Sequence, residues 1–127
     1  MPIITLKDGK PLQVEEGRRL VLALEEGGVD ILHRCGGHAR CTTCRVQFVR
    51  GEPTLMTTAE RERLEMRGLL GEVRLSCQIS CDHDMTLLVL NTVSNSDVED
   101  AGPLPADEIT PQPEWVAAPP ARSAAGE

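Results

Sequence analysis

Five cysteines in 127 residues are the side chains most able to do chemistry here. Cys35, Cys41 and Cys44 stand in a C-x5-C-x2-C spacing, and 32 residues separate Cys44 from Cys77. Thiolates are soft metal ligands, and a 2Fe-2S rhomb needs two of them on each iron. One irregular loop can wrap such a cluster and supply three ligands, while a distant strand end supplies the fourth. The loop reads Cys35-Gly36-Gly37-His38-Ala39-Arg40-Cys41-Thr42-Thr43-Cys44. Gly36, Gly37, Ala39, Thr42 and Thr43 are small where backbone must approach the cluster. Successive N–H groups in such a loop, those of His38 and Arg40 included, can donate to anionic sulfur.

Other thiol chemistries fit less well. A structural zinc site uses four cysteines too, but usually as two short knuckles. Only Cys41 and Cys44 form one, and Cys77-x3-Cys81 makes a poor second, so zinc stands behind iron-sulfur as an alternative. A redox C-x-x-C pair leaves Cys35 and Cys77 without a purpose. A c-type haem needs His where Arg45 follows Cys44. A Rieske centre needs two histidine ligands, and Cys81-x-His83 offers one. Cys81 reads as a small buried side chain, with a spare ligand or redox-sensitive thiol as the sharper reading. His38 reads as a loop residue, with coupling of its protonation to the cluster as the sharper reading. His33 and His83 carry no motif. Arg34 and Arg40 flank the ligands; either they raise the potential of a cluster that is −2 oxidised and −3 reduced by formal count, or solvent screens them. Four thiolates put that potential on the order of −400 mV.

The elements that must position these residues are short. Residues 3–6 and 12–14 predict two strands, with Asp8-Gly9 as the hairpin turn. Residues 19–26 predict a helix with Leu20, Ala23 and Leu24 on one face, stopped by Gly27-Gly28. Residues 33–44 lack periodicity and read as the ligand loop. Residues 45–50 alternate as a strand, with Val46 and Phe48 on one side. Thr57 and Glu60 match a capping box for a helix running to about Met66, with Gly68 as its stop. Residues 73–75 predict a strand leading into Cys77, and the apolar run 85–90 a strand buried on both faces. This order suits an α+β fold, a mixed sheet packed on one main helix.

Only 2% of the residues are aromatic, so the core must be aliphatic. The net charge of −7 is uneven: residues 97–127 hold seven acids and one base, while residues 1–96 hold 13 acids and 12 bases. Nothing provides the basic face that nucleic acid requires. No apolar run is long enough to span a bilayer. The N-terminal residues do not read as a secretory signal, so a cytoplasmic, reducing location is expected, where clustered cysteines favour metal. Six of the nine prolines fall after Asn95. The expected division is a cluster domain at 1–95 and a mostly disordered acidic tail at 96–127, with Trp115 mobile in the free protein and available to a partner.

The loop from Cys35 to Val46, together with Arg74-Leu75-Ser76-Cys77-Gln78, resembles the 2Fe-2S ferredoxins. The five-residue first gap is similar to their adrenodoxin-like and bacterial branch. The resemblance covers roughly residues 2–92 and implies a β-grasp fold with one 2Fe-2S cluster. It implies a monomeric one-electron carrier between a ferredoxin reductase and an acceptor enzyme, not an enzyme by itself. An iron-sulfur redox sensor or regulatory module, and a zinc-stabilised interaction domain, remain as alternatives. Proteins of that branch dock basic partners through an acidic helix after the cluster loop. Here that helix reads Glu60-Arg61-Glu62-Arg63-Leu64-Glu65-Met66-Arg67, whose alternating signs predict a solvated face with mutual ion pairs.

Overall fold

The computed structural model describes residues 2–7, 9–33, 36, 43–93, 102, 105–110 and 112–118. The first hairpin forms from β1 (Ile3–Leu6) and β2 (Pro11–Gln13), with Ile4 opposite Leu12 and both turned into the core. A two-residue strand, β3 (Arg18–Arg19), leads directly into α1 (Leu20–Glu26). The helix buries Leu20 through Leu24 without a break, so burial over its first five residues is not confined to one face. Gly28 ends it at φ +94°, a conformation that costs glycine little, and Val29 N–H turns back onto the Leu24 carbonyl.

β4 (Arg45–Arg50) follows the ligand loop with Val46 and Phe48 inward. β5 (Leu55–Thr57) then runs into α2 (Thr58–Met66). The Thr57 side chain accepts the Glu60 N–H as expected of a cap. Glu60 itself is fully buried, however, and its carboxylate turns to Arg74 and the Leu75 N–H. It belongs to the core and is not part of a solvated charged face; the exposed pair on this helix is Arg61 with Glu65.

β6 (Arg74–Leu75) leads into a 3-10 turn, Ser76–Gln78, and then β7 (Ser80–Cys81). β8 (Met85–Val89) lies at the centre of a five-stranded mixed sheet in the order β2-β1-β8-β4-β6. It runs parallel to β1 and antiparallel to β4. Its apolar run implies burial on both faces, but Met85 and Leu87 are buried while Thr86, Leu88 and Val89 are only half-covered. One face of the sheet packs on α1, and the other is partly open. Gly51, just past β4, sits at φ +76°, and a Cβ there would lie 2.5 Å from the Asp84 carbonyl oxygen.

The largest departure from expectation lies beyond residue 95. β9 (Trp115–Ala117) pairs antiparallel with β5, placing Trp115 opposite Thr57 and Val116 opposite Met56. Pro105 is buried, and Val116 and Ala118 pack against the core. Residues 105–110 and 112–118 are thus placed against the body, and Trp115 sits in a strand while remaining 45% exposed. A proline-rich, acidic composition argues against a packed core of its own. The segment needs none, because it completes the open edge of β5.

Candidate metal centre

Sheet register brings two of the three described cysteines, Cys44 and Cys77, together. β4 pairs with β6 at Arg45↔Leu75 and Val46↔Arg74. One step outward, the Ser76 N–H donates to the Cys44 carbonyl at 3.1 Å, and its hydroxyl donates to the same oxygen at 2.7 Å. Cys44, at the mouth of β4, and Cys77, in the turn after β6, are thus neighbours despite the residues between them. Both are almost wholly enclosed, at 2% and 0% exposure. A hydrogen bond with the Cys77 thiol, reinforced by burial, pushes the Cys44 thiol well above the ordinary cysteine range. Two buried thiols in mutual contact are well placed to be bridged by one metal ion.

Three further residues shape this pair. Arg19 is 1% exposed and donates from Nε to the Cys77 carbonyl at 2.7 Å. Gln78 is fully buried and directs its Nε2 toward Cys77 Sγ at 3.6 Å, a donor suited to a sulfur that carries negative charge. Behind them, Arg74 donates to Glu60, Glu52 and the carbonyls of Pro53 and Leu55. Burial pulls the Arg74 guanidinium down, but Glu60 and Glu52 more than restore it and hold it charged. Burial pushes the Glu60 carboxyl up, against the pull of Arg74 and the Leu75 N–H.

The ligand loop is fixed at both ends. His33 is buried and its Nε2 meets Glu25 Oε1 at 2.6 Å, while its carbonyl accepts the Gly36 N–H. At the other end Asn91 Nδ2 donates to the Thr43 carbonyl at 3.3 Å. Of the expected site residues, Gly36, Thr43, Cys44 and Cys77 are described, and of these Cys44 and Cys77 are brought together. Cys35, Gly37, His38, Ala39, Arg40, Cys41 and Thr42 lie outside the described residues, as does Arg34. Cys81 is apart from the pair, in β7 opposite Arg18, with its carbonyl accepting the Gly17 N–H. Burial, with the Asp82 charge beside it, pushes its thiol up to about 12, so it stays protonated.

The sequence does not single out Arg19, Gln78 or Ser76. Ser76 and Gln78 flank Cys77 in the chain, which is the available signal. Nothing marks Arg19, which reads as a polar residue before a helix.

A mixed sheet with parallel β1 and β8 at its centre, one apolar helix across it and a thiol pair at one end define a metal-thiolate protein of β-grasp type. Residues 5–82 match the family described as the 2Fe-2S iron-sulfur cluster binding domain, and the chain belongs to that family. Its cofactor is one 2Fe-2S cluster, and the zinc alternative falls with that finding. The chain is 36% identical over 66 residues to "2Fe-2S ferredoxin-5" of Aquifex aeolicus, covering 69% of it and 50% of the present chain. It is 38% identical over 74 residues to a subunit of the Na(+)-translocating NADH-quinone reductase of Chlamydia felis. That match takes in 58% of this chain and spans only 17% of the relative's length. Among solved structures, an ISC-like 2Fe-2S ferredoxin from Pseudomonas putida shares the fold at a TM-score of 0.63 and 24% identity, over 77% of this chain and all of that one. Among the described residues, no helix is long and apolar enough to cross a membrane.

Proposed function

We propose that this chain is a one-electron carrier whose cluster is held by Cys35, Cys41, Cys44 and Cys77, with the loop residues 36–40, 42 and 43 around it. The observation that carries the ligand reading is the buried Cys44–Cys77 pair, aligned by the β4–β6 register and faced by the Gln78 amide. Bound there, the cluster supplies reversible one-electron chemistry. The chain's own residues do the rest. Ser76 fixes the Cys44 backbone, Arg19 fixes that of Cys77, and burial keeps water from both sulfurs. The buried Arg19 cation also favours the added negative charge of the reduced state.

Residues 1–95 carry the cluster domain in this reading. The chain acts as a monomer in the cytoplasm, without catalysis of its own, between a ferredoxin reductase and an acceptor enzyme. The quinone reductase subunits among its relatives support a place beside such enzymes.

Iron and labile sulfide per chain test the ligand set. Cys35→Ser, Cys41→Ser, Cys44→Ser and Cys77→Ser each lose most of both, while Cys81→Ser retains them. A cluster lost in Cys81→Ser and kept in Cys77→Ser overturns the assignment.

A further inference from the structure

Gln78 is held from three sides. The Thr57 hydroxyl accepts the Glu60 N–H at 3.0 Å, and donates its own hydrogen to Gln78 Oε1 at 2.7 Å. The Thr110 carbonyl, which can only accept, identifies the Gln78 nitrogen and so leaves its oxygen toward Thr57. Nε2 meets Cys77 Sγ at 3.6 Å and the Thr110 carbonyl at 2.8 Å. A planar amide fixed at its oxygen and at one N–H has no freedom left for the other. Thr110 therefore sets where the sulfur-facing hydrogen points.

The segment that supplies Thr110 is anchored on both sides of it. Upstream, Arg19 Nη1 donates to the Ala106 and Glu108 carbonyls at 2.9 and 3.1 Å, while its Nε holds the Cys77 carbonyl. Arg18 reaches Asp107 at 3.2 Å. Downstream, β9 pairs with β5, the strand that ends in Thr57. The same two body elements, β3 and β5, thus hold both the strap and the turn that carries Cys77.

We propose that residues 105–110 and 112–118 form a positioning strap for the cluster, in which the Thr110 carbonyl aims the Gln78 amide at Cys77 Sγ and so favours the reduced state. This rests on Cys77 being a ligand. An N–H donated to a ligand sulfur stabilises negative charge there more when the cluster holds the extra electron, so the aimed amide raises the potential. Gln78 and the strap are positioning groups and carry no electron themselves.

The test is a double-mutant cycle on the full chain, with midpoint potentials followed by EPR in proteins whose iron and sulfide are complete. Gln78→Leu removes the donor, and Gln78→Met does so at closer volume. Val116→Pro loosens the strap. The Ala118 N–H donates to the Thr54 carbonyl, so the Val116 N–H, two residues back, faces β5 too and is lost in proline. Each Gln78 variant is expected to lower the reduced-to-oxidised ratio at the wild-type midpoint about tenfold, about 59 mV for one electron. Val116→Pro is expected to shift it the same way by about threefold, and to add nothing once Gln78 is Leu or Met. An unchanged midpoint in a fully loaded Gln78 or Val116 variant overturns the proposal. So does a Val116→Pro shift that persists undiminished without Gln78. Should both Gln78 variants fail to load, a fully loaded Val116→Pro decides the matter alone. Failure of the ligand reading shows differently, as a cluster retained in Cys77→Ser.

Discussion

The turn bearing Cys77 is secured by two unlike regions. On its Ser76 side the fixings come from within the sheet: Cys44 across the β4–β6 ladder, and Arg74 and Glu60 behind it. On its Gln78 side, beside the Thr57 hydroxyl, they come from a segment roughly thirty residues further along, through Thr110 and, by way of Arg19, the Ala106 and Glu108 carbonyls. The first set is a consequence of strand register and cannot be altered without disturbing the fold. The second is an addition to a sheet that is already closed on its core. The difference predicts that damage on the Ser76 side costs global stability, whereas damage on the Gln78 side costs chiefly the cluster's environment.

The largest effect should come from Arg74. Replacing it with Leu leaves the Glu60 carboxylate buried without its cation and frees the Pro53 and Leu55 carbonyls. Breaking a buried ion pair in this way costs about 3–5 kcal/mol. Chemical denaturation should show that loss with little change in the slope against denaturant, and Arg74→Leu/Glu60→Leu together should recover part of it. A cost under about 1 kcal/mol would mean that this network does not secure the Ser76 side.

Deleting residues 105–127 should come next. The composition of this stretch alone implies that its removal leaves the cluster untouched. The observed bonds reverse that expectation. Loss of the β9 ladder and of the bonds to Arg19 and Gln78 removes several bonds worth about 1 kcal/mol each, and the entropy regained by the freed segment offsets part of this, leaving a net cost of about 2–3 kcal/mol. Opening the Cys77 turn to water should also shorten cluster lifetime in air more than it lowers Tm. Equal cluster lifetimes in the truncated and full-length proteins would remove the strap's role.

How far the sequence reveals all this differs between the two regions for a physical reason. Alternation at Val46 and Phe48, the Thr57 cap and the glycine stop after α1 are local signals, and each lies where the sequence places it. The thiol spacing likewise exposes the centre, because a metal site is written in residue type. β3, β5 and β7 escape detection because each is two or three residues long with no alternation beside it, β3 and β5 running straight into helices and β7 following the 3-10 turn. Glu60 reads as a surface charge because burial of a carboxylate depends on Arg74, 14 residues away. The strap is invisible because it bonds to Arg19 and Gln78 through its own carbonyl groups, which every residue carries. No side chain between 105 and 118 announces that its backbone will accept from Arg19 or Gln78.

The smallest effect belongs to His83, which tests whether the two regions are separable. Its Nε2 meets the Gly51 carbonyl at 2.6 Å and its Nδ1 faces Asp82, so it ties the β7–β8 connection to the end of β4 without touching Thr110 or Arg19. Chiefly that bond to the Gly51 carbonyl raises its pKa above 6.5; burial opposes the rise, and Asp82 adds to it. The folded chain therefore holds the His83 proton more tightly than the unfolded chain does. Its contribution is complete below pH 6.5 and fades as pH rises through the raised folded value. Because the ring is partly exposed, solvent screens the pairing and the effect is small. Thermal melts of the wild type should decline slightly between about pH 6 and 8, and His83→Gln should flatten that decline. The same small slope should survive deletion of residues 105–127, since none of the groups around His83 named above belongs to the strap. A slope that vanishes with the strap would show that the two regions are coupled through the β7–β8 connection, and the division drawn between them would have to be given up.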